Sequence, residues 1–213
     1  MKLIPSILTY DRQSFEKQIE IASKTTDFVQ IDIADGKFVD NQTWHNSAII
    51  AQNCPVDFEL HMMVENPLEE IENWKNIERL KRIIFHYEAV DDIEIAVRIM
   101  SAYDKHISVC LNIETPSLVL DPVIDQIDSV QFMCIVPGKQ GQPFLPSVLD
   151  KIEHFAKQNP DVPISADGHV GPDTIPDLKS VGVQNFCVGS ALWNDKNTFA
   201  DNFEYLKNLI QNS

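Results

Sequence analysis

Short runs rich in Ile, Val and Phe recur along the whole chain. They lie at 3–8 (LIPSIL), 28–33 (FVQIDI), 56–62 (VDFELHM), 82–86 (RIIFH), 106–112 (HISVCLN), 129–134 (SVQFMC), 162–167 (VPISAD) and 185–189 (NFCVG). Their spacing is about 26 residues, one eighth of the 213-residue chain, and their length and β-branched content are those of buried strands. Segments of helical period lie between them: Phe15, Ile19 and Ala22; Ile93, Ala96, Val97 and Met100; Val148, Leu149, Ile152, Phe155 and Ala156; Phe199, Phe203, Leu206 and Ile210. The helical pattern is weakest after the third and fifth strands. A strand–helix unit repeated eight times, with strands apolar enough to be covered on both faces, predicts an α/β fold. Its parallel sheet closes into a (β/α)8 TIM barrel, a single domain over residues 1–213. The rival, an open doubly wound sheet, usually has a Gly-rich turn after its first strand, where this chain reads Leu8-Thr9-Tyr10-Asp11.

Composition supports one domain, since no Gly/Ser-rich linker or low-complexity tract divides the chain and the 12 prolines are scattered singly. The opening MKLIPSIL is apolar over too few residues for a signal peptide or membrane span, and Pro5 interrupts it, so a cytoplasmic protein is expected. Cys54, Cys110, Cys134 and Cys187 form no Cys-x-x-Cys pair and read as reduced core thiols. A formal charge of −15 argues against nucleic acid or an anionic membrane as partner. A small anionic substrate remains compatible, because backbone N–H groups can meet its charge.

In a barrel the chemistry sits where strands end, so the last residues of each run carry the functional reading. Asp32 ends the second run and Asp167 the seventh, each beside a turn (Asp35-Gly36 and Gly168). Two such carboxylates, far apart in sequence, suit a pair of proton-transfer groups. His61 ends the third run, and Asp32, His61 and Asp167 together offer the oxygen and imidazole ligands of a divalent metal; the alternative is three polar strand ends facing solvent. His86 reads as a packing or hydrogen-bonding residue, Glu88 as a loop charge, and His45, His106 and His154 carry no role. Glycines follow the last three strands, in Pro137-Gly138-Lys139-Gln140-Gly141-Gln142, at Gly168 and at Gly189-Ser190. They allow close backbone approach to a phosphate at the usual phosphate end of a barrel.

PSIL at 5–8, DIADGKFVDN at 32–41, ELHMMVENP at 59–67, HYEA at 86–89, LNIETP at 111–116, PGKQGQPFLPSVLDKI at 137–152, ADG at 166–168 and VGSALW at 188–193 stand in one order. In that order the chain resembles the ribulose-phosphate 3-epimerases over nearly its whole length. The resemblance implies a barrel enzyme that interconverts ribulose 5-phosphate and xylulose 5-phosphate through a cis-enediolate, with Asp32 and Asp167 moving the protons. It also implies one divalent metal ion held by two Asp and two His, matched here by Asp32, His61 and Asp167. The substrate is expected at Ser6, His61, Met63, Met133, Gly138, Gly141, Gln142, Gly168, His169, Gly189 and Ser190, and a homo-oligomer is expected. An epimerase for another ketose phosphate, such as allulose 6-phosphate, looks much the same, and a catalytically impaired sugar-phosphate-binding homologue is the other alternative.

The chain departs from the family pattern at several of these places. Gln30 stands where the family has its second metal-binding His. The remaining three oxygens and one nitrogen lean away from Zn towards Mn, Fe or Mg. His169 replaces the second Gly of a pair, Lys139 an aromatic, Gln140 a Gly, Ala34 a Met and Val136 an Asn. His169 has two readings: a residue that tolerates a special backbone conformation, or, with Lys139, a charged phosphate contact.

Overall fold

The computed structural model describes residues 1–137 and 141–212. Eight strands, β1 (Lys2–Ile7), β2 (Phe28–Ala34), β3 (Asp57–Met63), β4 (Leu80–His86), β5 (His106–Leu111), β6 (Ser129–Met133), β7 (Ile164–Asp167) and β8 (Asn185–Val188), pair in chain order. All pairings are parallel. The ring closes between β1 and β8, where Lys2 lies opposite Asn185 and Pro5 opposite Val188. The Trp193 indole N–H, just past β8, donates to the Ser6 carbonyl at 2.9 Å and ties the two strands at their exits. This is the predicted (β/α)8 barrel, with each strand close to its predicted run.

The helices form the outer layer: α1 (Arg12–Ser23), α2 (Ser47–Asn53), α3 (Pro67–Glu70), α4 (Ile93–Met100), α5 (Ser147–Gln158), α6 (Ile175–Ser180) and α7 (Phe199–Asn212). Asp11, Asn46 and Asp92 each cap a helix start, accepting from the backbone N–H three residues on at 2.8, 3.0 and 3.0 Å. The predicted apolar stripes of α1, α4, α5 and α7 face inward, burying Phe15 and Ile19, Val97 and Met100, Ile152 and Phe155, and Phe203 and Leu206. The two weak positions behave as their sequence implies. After β3 there is the single turn of α3, and after β5 only short 3-10 turns at Ser117–Leu120 and Ile124–Gln126. No helix among the described residues is long and apolar enough to cross a membrane.

One part of the sequence reading needs correction. The strands are not apolar on both faces; they alternate. In β2, Val29, Ile31 and Ile33 join the core beneath the helices, while Gln30 and Asp32 turn inward and meet residues of other strands. Side chains alternate across a pleated strand, so every second residue of a closed sheet must enter the ring. Here many of those residues are polar. Glu59, Gln131, Ser108, Ser129, Ser165 and Asn185 are all buried, and the main hydrophobic core lies in the shell between sheet and helices. Arg82 and Glu59 pair at 2.8 Å within this interior. Burial still pushes the Glu59 carboxyl up to about 7 against that pairing.

The shell core should therefore dominate stability. Phe155 is fully enclosed, with its ring 5.4 Å from that of Phe132 across the α5–β6 contact. Replacing Phe155 with Ala should cost about 3–5 kcal/mol, measured by equilibrium urea unfolding; a loss under about 1 kcal/mol would contradict this account of the core.

Candidate active site

At the C-terminal mouth, β2 and β7 bring Asp32 and Asp167 to one imidazole. His61 Nδ1 lies 3.0 Å from Asp32 Oδ1 and 3.2 Å from Asp167 Oδ2. The register of the sheet sets this up, since Asp32 is the direct partner of His61 across β2–β3. The Gln30 amide Nε2, from beneath, donates to the same two oxygens at 2.8 and 2.6 Å. Ser6 on β1 donates its hydroxyl to Asp32 Oδ2 at 2.5 Å, and Gln131 on β6 donates to Asp167 Oδ2 at 3.1 Å. Five strands thus hold two carboxylates in one hydrogen-bonded cluster.

The electrostatics follow from burial and proximity. Burial raises the Asp32 carboxyl above its usual range, and the Asp167 charge adds to the shift against the hydrogen bond from His61. For His61, burial opposes charge, but Asp167 and Asp32 outweigh it and hold the imidazole well above its ordinary value.

The donor set suits a divalent cation. Ligand atoms of Asp32, His61 and Asp167 lie within 4.8 Å of one another. Adjacent ligands around an octahedral ion with bonds of about 2.1 Å sit about 3.0 Å apart, close to the two His61–carboxylate distances. Gln30 Oε1 is buried with no hydrogen-bond partner. A half-turn of that amide would aim Oε1 at the carboxylate oxygens, an arrangement that requires a cation between them. Gln30 is therefore able to complete the set.

A cleft above this cluster gathers most of the residues expected to meet a substrate. Ser6, Asp32, His61, Met63, Met133 and Asp167 line it, as do Gly141, Gly168, His169, Gly189 and Ser190. Gln142 does not line it; its carbonyl oxygen lies 2.8 Å from His169 Nδ1. Gly138, Lys139 and Gln140 lie outside the described residues. At Gly168, φ is +102°, and a Cβ would meet Ile135 Cγ1 at 2.4 Å, so only glycine fits. His169 follows with φ of 54°, the left-handed conformation of its first reading, and its ring braces the segment that carries Gln142.

One residue at the site, Gln131, was not singled out from the sequence. Gln131 was legible in principle, because it lies two positions before Met133 on one strand and so shares its inward face. His86 packs against His61, rings stacked with centroids 5.1 Å apart, in keeping with the packing role expected of it. Glu88 is more than a loop charge: it accepts from the Asn112 N–H at 2.9 Å and from the Thr115 hydroxyl, and lies 3.5 Å from His86 Nδ1. It straps the β4 exit to the β5 exit. His45 Nδ1 meets Thr43, and His106 pairs with Asp128 on the surface. All four cysteines are buried and unpaired, as expected.

A closed parallel barrel whose mouth holds two buried carboxylates around an imidazole, beside a glycine-lined recess, defines the class: a (β/α)8 protein built for chemistry at its C-terminal face. Solved structures share this fold. A 3-hexulose-6-phosphate synthase superposes with a TM-score of 0.63 at 20% identity, covering 96% of this chain and 97% of that one. A phosphoribosyl anthranilate isomerase from Thermococcus kodakaraensis gives 0.61 at 12% identity, covering 99% and 98%.

Sequence comparison narrows the class. The chain belongs to the ribulose-phosphate 3-epimerase family, whose model matches residues 2–193. Curated relatives named ribulose-phosphate 3-epimerase include one from Bacillus subtilis, 30% identical over 201 residues (91% of this chain, 92% of the relative). Another, from Chlamydia pneumoniae, is 31% identical over 185 residues (83% and 80%). That of Schizosaccharomyces pombe is 27% identical over 198 residues (90% and 86%).

The Glu88 strap gives a pH signature. Burial works to raise its carboxyl, but His86, Thr115 and the Asn112 N–H outweigh it and hold it at about 2 against an ordinary 4.5. A depressed acid stabilises the fold fully above its unfolded value and loses that contribution as pH falls through its folded one. Stability should therefore fall between about pH 4.5 and about pH 2. Glu88→Gln should lose about 1.5–3 kcal/mol at neutral pH and show a flatter acid limb in thermal melts; an unchanged limb would contradict the strap.

Proposed function

We propose that this protein is an epimerase that inverts C3 of a ketopentose phosphate, converting ribulose 5-phosphate to xylulose 5-phosphate. The observation that carries the reading is the placement of Asp32 and Asp167 on well-separated strands, both within reach of one imidazole nitrogen. Inversion next to a ketone needs a base on one face of the carbon and an acid on the other, since a lone carboxylate returns its proton to the face it came from. One Asp accepts the C3 proton, leaving an enediolate, and the other delivers its own proton to the opposite face. Each turnover then leaves the pair with its proton exchanged, ready for the reverse sense.

The surroundings support the same steps. Ser6 and Gln131 fix the carboxylates through their second hydrogen bonds, and His61 donates between them. Asp32, Asp167, His61 and, through Oε1, Gln30 would hold a divalent ion, which when bound supplies Lewis-acid stabilisation of the enediolate oxygens. Three oxygens and one nitrogen favour Mn2+, Fe2+ or Mg2+ over Zn2+. Met63, Met133 and Ile135 form an apolar wall that keeps water from the intermediate. The phosphate is assigned to the recess of Gly141, Gly168, His169, Gly189 and Ser190, where backbone groups and one hydroxyl can approach its oxygens.

The test is solvent deuterium exchange. Ribulose 5-phosphate incubated with the protein in D2O, with Mn2+, Fe2+, Mg2+ or Zn2+, should gain deuterium at C3 by NMR and yield xylulose 5-phosphate. Asp32→Asn and Asp167→Asn should each lower kcat by about 10²–10⁴-fold while substrate still binds. Absence of exchange with every ion, with sugar phosphate still bound, would overturn the proposal. Gln30→His should raise zinc affinity in competition with a chromophoric chelator; an unchanged affinity would place Gln30 outside the ligand set.

A further inference from the structure

His61 has a second ring nitrogen, and it faces a separate set of donors on the side away from the carboxylates. Its Nε2 is 3.0 Å from His86 Nε2, and the Cys110 thiol lies beside both rings. One ligand atom from each of the three lies within 4.8 Å of the others. All three residues are at most 1% exposed. The sheet assembles them, since His86 and Cys110 are register partners across β4–β5 and His61 stands on β3 next to them. The epimerase reading uses neither His86 nor Cys110.

The two rings face each other through their Nε2 atoms. Asp32 sits on His61 Nδ1 at 3.0 Å, and Glu88 lies 3.5 Å from His86 Nδ1. A carboxylate beside the Nδ1 of a ring orients that ring as the outer partners of a metal-bound histidine do. The 3.0 Å contact between two ring nitrogens in a buried interior holds either a shared proton or a cation. A thiol beside two imidazole nitrogens supplies the ligand combination that Zn2+ and other thiophilic ions accept, with bonds of about 2.0–2.1 Å to nitrogen and 2.3 Å to sulfur.

We propose that His61, His86 and Cys110 form a second metal site, selective for thiophilic ions, directly behind the carboxylate pair. The ion enters by the cleft, whose floor His61 lines. The Cys110 thiol loses its proton to solvent on binding, and the thiolate and two neutral imidazoles take the ion. A neutral imidazole has one lone pair, so an ion on His61 Nε2 leaves Nδ1 as an N–H donor to Asp32 and Asp167. His61 then cannot serve an ion at the carboxylates. The two sites exclude each other through one ring: a hard ion selects the carboxylates, a thiophilic ion selects Cys110. The site itself stands without the epimerase reading; only the exclusion rests on the ion assigned there.

The experiment is a Cd2+ titration of the chelator-stripped full-length protein, following the ultraviolet thiolate-to-cadmium band and counting bound ion by equilibrium dialysis. The band should rise to one Cd2+ per chain, vanish in Cys110→Ser and persist in Cys134→Ser, with folding checked by circular dichroism. His86→Gln should weaken the binding and provides the test if Cys110→Ser does not fold. Absence of the band in the folded protein would overturn the site and assign the gap to a shared proton. A band that survives Cys110→Ser would overturn it as well. Cd2+ should also release bound Mn2+ from the unsubstituted protein, read as the free-ion EPR signal, and release none from Cys110→Ser. A protein that binds no Mn2+ counts against the carboxylate ion alone, and the thiolate band still decides the second site.

Discussion

Closing a sheet of eight parallel strands forces every second side chain into the ring, and the rest of this molecule depends on that constraint. The outward residues meet the helices and are mainly Val, Ile, Leu and Phe; the inward ones have no helix to pack on and pack against one another. Many of the polar inward residues form a connected set. From the mouth downward, Asp167 is met by Gln131 at 3.1 Å, the Cys187 thiol lies near both Gln131 and Glu59 at 3.7 and 3.8 Å, and Glu59 pairs with Arg82. A half-satisfied network of this kind costs more than an apolar core would, so the barrel interior of this chain is committed to its particular polar partners.

The same constraint explains what could be read from the sequence. The outward residues alone make the strand runs recognisable, because Val29, Ile31 and Ile33, or Phe58, Leu60 and Met62, are enough to mark a strand whatever stands between them. For that reason all eight strands and the four strong helices were legible, and the gap after β5 was foreshadowed by a segment without a clear apolar stripe. The interior was misread for the same reason: Gln30, Glu59 and Gln131 interrupt apolar runs without hiding them. At the site, strand-end position and motif order brought out Asp32, His61 and Asp167. Glu88 was read only as a loop charge because its partners, Asn112 and Thr115, belong to the next strand exit, a relation that exists only once β4 and β5 are side by side.

The recess proposed for the phosphate shows a different use of charge. An acidic chain of net charge −15 would repel a dianionic sugar phosphate at long range, and the described part of the cleft contains no lysine or arginine. Backbone dipoles act only at contact, so on the proposed reading recognition there rests on shape: Gly168 held against Ile135, His169 in its left-handed turn with its ring on the Gln142 carbonyl. On that reading the recess would select by closeness of fit rather than by steering substrate from solution.

The seam between the first and last strands carries a consequence for synthesis. Ser6, at the exit of β1, is bound to Asp32 on one side and covered by Trp193 on the other, and the recess beside it is completed by Gly189 and Ser190. During translation the first strand waits for its second neighbour until nearly the whole chain has emerged. Pairing across the seam joins residues some 183 positions apart, from Lys2 to Asn185, the kind of non-local contact that folds late. The mouth is thus completed only once β8 has emerged, and a ribosome that stalls before β8 leaves both carboxylates made with the cleft around them still open.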